Sequence, residues 1–145
     1  MVIFAVVVLA VGAIFAIPYL KKYAGNGGKP GTRQFATTPN PVKKLTEAKA
    51  KGQPVYLEFY AKTWPTCRQM EPVVLALEKK YDKEMTFITA NTNTPEGQQL
   101  GQQFGIYYIP AIFILDRNGQ VMASREGFLP YEKLEPLINK AIKSK

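Results

Sequence analysis

The strongest nucleophile available to this 145-residue chain is its one cysteine, Cys67. It follows the apolar run Val55–Ala61, which carries the single acid Glu58, and a Trp64-Pro65-Thr66 turn, and it opens a helical pattern. A thiol in the first turn of a helix sits where the backbone dipole favours thiolate, and Arg68 adds positive charge beside it. Thiol exchange normally needs two sulfurs, one to attack and one to resolve the mixed disulfide, so one thiol cannot close that cycle internally. The other reading of Cys67 is a small apolar side chain packed under the turn.

What the composition lacks narrows the chemistry further. One cysteine excludes an intramolecular disulfide and the clustered thiolates of structural zinc or iron–sulfur sites. The chain has no histidine, which removes Ser-His-Asp and Cys-His catalysis and the usual zinc and haem ligands. Neither a metal site nor a cofactor is expected. The net charge of +8 is unevenly spread, with +7 on residues 1–52 and +1 on residues 53–145. The excess sits beside an apolar N-terminus, which points to anionic lipid and not to nucleic acid.

That N-terminus, residues 2–20, is nineteen residues without a charge, about the length that crosses a bilayer core. A cleaved signal peptide would carry a basic leader and a small-x-small site, and a core helix would show a polar face; the run has none of these. We read residues 1–22 as a transmembrane anchor touching lipid through residues 2–22, residues 23–41 as a flexible juxtamembrane linker, and residues 42–145 as one domain. Within the domain the patterning predicts helices over Val42–Lys51, Cys67–Tyr81, Pro95–Phe104 and Tyr131–Ile142. Strands are predicted over Val55–Ala61, Met85–Thr92, Ala111–Leu115 and Val121–Arg125. Pro72 predicts a kink in the second helix, and Asn118-Gly119 a hairpin turn. Alternation followed by a hairpin gives an α/β fold, a mixed central sheet with helices on both faces.

These landmarks resemble the thioredoxin family over roughly residues 42–145. The family shows a buried strand bearing an acid, a Trp-Cys-x-x-Cys-Lys/Arg turn, a helix with a proline five residues beyond the second cysteine, and an Ile-Pro pair before a hairpin. Here Glu58, Arg68, Pro72 and Ile109-Pro110 stand in that order and spacing. Counted without a gap, Cys67 falls on the second cysteine and Trp64 on the first, the usual nucleophile. Aligned instead on the tryptophan, Pro65 replaces the first cysteine and the turn is one residue shorter. The motif is degenerate either way.

The resemblance implies a cis-proline at Pro110 beside the turn and a backbone there that pairs with an extended peptide. Trp64, Pro65, Ile109 and Pro110 would form the substrate-binding surface, extended by Tyr107 and Tyr108 unless these simply pack in a strand. It also implies that Glu58 is the buried acid assisting proton transfer at Cys67; the bland reading is a strand-edge carboxylate reaching a lysine or water. The function expected is binding of polypeptide, or of a partner protein offering a thiol or extended segment, by a membrane-tethered protein lacking the nucleophilic cysteine. Two rivals are a monothiol reductase or isomerase using Cys67 with an external thiol, and a non-catalytic subunit of a membrane complex. Lys21 and Lys22 after the apolar run favour a cytoplasmic side. Tethered members of the family work outside it, and an extracytoplasmic domain on the cell membrane is the expectation taken.

Overall fold

A computed structural model describes residues 36–144. The anchor and most of the linker expected from the sequence lie outside these residues. Among the described residues, no helix is long and apolar enough to cross a membrane.

The chain order is α1 (Pro41–Ala50), β1 (Val55–Tyr60), α2 (Pro65–Tyr81), β2 (Thr86–Asn91), α3 (Pro95–Phe104), β3 (Ala111–Leu115), β4 (Val121–Glu126) and α4 (Tyr131–Lys143). Every element matches the expected type, with ends moved by a residue or two. Prolines set several of the starts. Pro41, Pro65 and Pro95 each occupy a first-turn position, where a missing N–H costs nothing. Asn40 caps α1, its Oδ1 accepting from the Lys43 N–H at 3.0 Å, and Thr94 caps α3 through the Gly97 N–H at 3.1 Å. The helix α2 runs on through Pro72.

The four strands lie in the order β2-β1-β3-β4, with β1 parallel to β2 and the other two pairings antiparallel. The hairpin forms where Asn118-Gly119 predicts it: Asp116 Oδ1 accepts from the Asn118 and Gln120 N–H groups, and Gly119 takes φ 76°. Because β1 is flanked on both sides, all six of its residues are buried, and their alternation feeds two separate cores. Tyr56 and Tyr60 pack with Met70, Val74 and Leu77 of α2 and Leu134 and Ile138 of α4. On the opposite face Val55, Leu57 and Phe59 pack with Leu45 and Ala48 of α1 and Leu100 of α3.

The end of the expected linker belongs to this domain. Thr38 donates its N–H to the Thr89 carbonyl and accepts the Thr89 N–H on Oγ1, both at 2.9 Å, and Thr89 Oγ1 donates to the Ala36 carbonyl at 2.8 Å. These bonds satisfy backbone groups on the outer edge of β2, which would otherwise lie unpaired.

Candidate functional site

The site forms where β1 ends and β3 begins. Antiparallel pairing sets Phe59 opposite Ala111, and continuing that register by one step sets Tyr60 opposite Pro110. The turn after β1 and the loop before β3 therefore share one end of the sheet, the place where α/β sheets usually bind ligands. The Trp64 N–H donates to the Ala61 carbonyl at 3.1 Å, closing the turn, and Pro65 starts α2. Trp64 is 52% exposed and makes no side-chain cap, so its indole is presented outward without holding the helix end.

Cys67 is the third residue of α2 and only 2% exposed. Burial pushes its thiol up from the ordinary value of 9.0, a backbone hydrogen bond from Ala61 opposes this, and the negative charge of Glu58 raises it further. Of the two readings of Cys67, its burial favours the packed side chain over the thiolate that the helix dipole and Arg68 would promote: Cys67 faces the core, while Arg68 is exposed.

The strand-edge reading of Glu58 is also corrected. Glu58 lies mid-way along β1, a central strand, and is fully buried on the α2 side between Tyr56 and Tyr60. Its Oε2 accepts from the Tyr56 hydroxyl at 2.9 Å, and its Oε1 has no hydrogen-bond partner among the described residues. Desolvation pushes its pKa up to about 8, against a smaller lowering by the Tyr56 bond, so the acid is mostly neutral at pH 7. Its electrostatic effect on Cys67 and Tyr60 places all three in one buried neighbourhood.

The Ile109–Pro110 peptide bond is cis. Pro110 is buried and its carbonyl accepts the Gly127 N–H at 2.8 Å, while the half-buried Ile109 touches both cores. Tyr107 and Tyr108 are 88% and 70% exposed and lie in the loop between α3 and β3, so strand packing does not account for them. Three further residues went unremarked in the sequence. Phe128, 45% exposed, follows Gly127 and so borders Pro110. Tyr56 and Tyr60 alternate with Glu58, a spacing of two that could have marked all three as one face of a strand. Among the described residues no group of Cys, Asp and Glu could hold a metal ion.

A mixed sheet of this order, with a buried acid in β1, a cysteine in the first turn of α2 and an Ile-Pro bond before β3, defines the thioredoxin-like class of α/β proteins. The model of the thioredoxin-like domain family matches residues 42–142, and the chain belongs to that family. The chloroplast thioredoxin-like protein HCF164 of Arabidopsis thaliana is 32% identical over 93 residues, 64% of this chain and 36% of that protein. The chain spans about a third of the length of HCF164 from Arabidopsis and from rice (36% and 32%). Haemophilus influenzae thioredoxin is 30% identical over 89 residues, 61% of this chain and 80% of that one. A Chlorobium tepidum structure of the thiol:disulfide interchange DsbE type superposes with a TM-score of 0.58 at 26% identity, over 68% of this chain and 84% of that one.

Proposed function

We propose that this thioredoxin-like protein has lost the nucleophilic cysteine position to Trp64 and binds extended polypeptide at the surface of Trp64, Pro65, Ile109 and Pro110. Tyr107, Tyr108 and Phe128 extend that surface. A membrane anchor in residues 1–22 and a linker from residue 23 hold the domain at the cell membrane, on the extracytoplasmic side. The observation that carries the reading is a contrast at one end of the sheet: the thiol is 2% exposed, while Trp64, Tyr107 and Tyr108 are open to solvent at 52%, 88% and 70%. Exposed aromatic rings on a rigid turn are good anchors for a peptide, offering large apolar area at little conformational cost.

Trp64 is the only tryptophan, so its emission reports on the site directly. Titration with a reduced, unfolded polypeptide should give a saturable change in that emission, and a flat response would defeat the proposal. A second reading has one observation in its favour. Glu58 is close enough to Cys67 to affect its titration and keeps its own proton to about pH 8, so in a monothiol reductase it would donate that proton to the Cys67 sulfur as an external thiol displaces it from a mixed disulfide. Disulfide reduction supported by glutathione, absent in Cys67→Ala, would favour that reading over simple binding.

A further inference from the structure

We propose that the outer face of α1 docks on an anionic lipid surface and so sets how the domain sits at the membrane. This rests on the membrane-tether reading above. The observation is where the charge lies. The segment 41–51 holds four lysines, Lys43, Lys44, Lys49 and Lys51, against one acid, Glu47, whereas residues 52–144 balance at ten basic and ten acidic. The whole charge excess of the described domain is therefore on its first helix. Leu45 and Ala48 turn inward, leaving Lys43 and Glu47 facing outward and Lys49 and Lys51 exposed on the two flanks, with the Lys49 stem lying over Gly119 of the β3–β4 turn. Lys44 is committed elsewhere, its ammonium donating to the Phe87 carbonyl at 2.7 Å. Lys43 is only loosely paired with Glu47, at 3.9 Å. The neighbouring α3, packed on the same face of the sheet, adds a single acid, Glu96, to a run of glutamines and glycines.

The occupant follows from where the chain comes from. The apolar run ends at Leu20 and the described domain begins at residue 36, so fifteen residues intervene, and however arranged they reach at most about 50 Å. Within that reach a cationic helix face meets one anionic surface continuously, the headgroups beside its own anchor. Lysines close to such a surface are each attracted to it, and the attraction is confined to about a Debye length. Because α1 and α2 lie on opposite faces of the sheet, docking through α1 leaves Trp64 and its turn free for a partner.

The test uses the full chain incorporated into vesicles of phosphatidylcholine alone or with phosphatidylglycerol added. Flotation with the neutral vesicles in high salt tests the tether separately, and failure there overturns that reading and this one with it. In floated samples a membrane-impermeant amine reagent should modify Lys43, Lys49 and Lys51 several-fold more slowly on anionic than on neutral vesicles, with Lys79 and Lys133 unchanged as internal references. High salt should abolish the difference. In Lys49→Glu/Lys51→Glu, Lys43 should be modified equally on both vesicles. Equal modification of the three lysines on both vesicle types, in protein that floats, overturns the docking and leaves the tether standing.

Discussion

Raising the pH should weaken this fold, through Glu58. In the folded protein Glu58 keeps its proton to about pH 8, whereas in the unfolded chain it ionises near 4.5. Below pH 4.5 both states carry the proton and the full stability is present. Between the two values the folded state holds a proton that the unfolded state has released, so stability falls as pH rises, by about 1.4 kcal/mol per pH unit. From 4.5 to about 8 the loss is of order 5 kcal/mol, comparable with the whole stability of many domains. Above pH 8 this contribution stays flat. The thiol of Cys67 and the hydroxyls of Tyr56 and Tyr60 are raised from values that already lie higher, and Glu135, held down to about 2 chiefly by Lys80, changes below the window. Urea unfolding of the full chain in a neutral detergent at half-unit pH steps would measure the slope. Glu58→Gln keeps the side-chain length and an acceptor for the Tyr56 hydroxyl but cannot ionise, so it should flatten the profile between pH 5 and 8. Parallel profiles for the two proteins, or a wild-type stability that rises with pH across this window, would refute the reasoning.

Three other expectations follow from specific contacts. A Cβ on Gly97 would lie 1.9 Å from the Asn91 carbonyl oxygen, so Gly97→Ala should destabilise the domain by about 1–3 kcal/mol or more in the same unfolding assay. Asn40→Ala, which removes the α1 cap, should cost about 1 kcal/mol and raise amide exchange in the first turn of that helix. Cys67 should react with iodoacetamide far more slowly at neutral pH than a free thiol does, and its rate should go on rising with pH beyond the point where a free thiol levels off, because burial both shields the sulfur and raises its pKa.

The fold was legible because its elements carry strong local signals: apolar runs bounded by Pro, Gly and Asn-Gly, and helices with inward residues three and four apart. The site was legible only in part. One acid in an apolar run fits an edge strand or a central one, and only the pairing of β1 with both β2 and β3 decides that Glu58 is buried. The direction of the Cys67 shift depends in the same way on how α2 packs on β1, since the helix start alone argues for the opposite sign. Thr37 and Thr38 read as linker by composition, yet Thr38 bonds to Thr89 and the Thr37 hydroxyl lies 2.6 Å from the Tyr60 hydroxyl. Partners so distant in sequence leave no trace in local pattern.

The central claim is that this protein binds polypeptide through exposed aromatic rings and not through its thiol. The direct measurement is the affinity of one unfolded polypeptide for three proteins, read from Trp64 emission: wild type, Cys67→Ala, and Tyr107→Ala/Tyr108→Ala. Unchanged affinity in Cys67→Ala, with a loss of about tenfold or more in the tyrosine variant, is the predicted result. Affinity that disappears with the cysteine and survives removal of both tyrosines would contradict it.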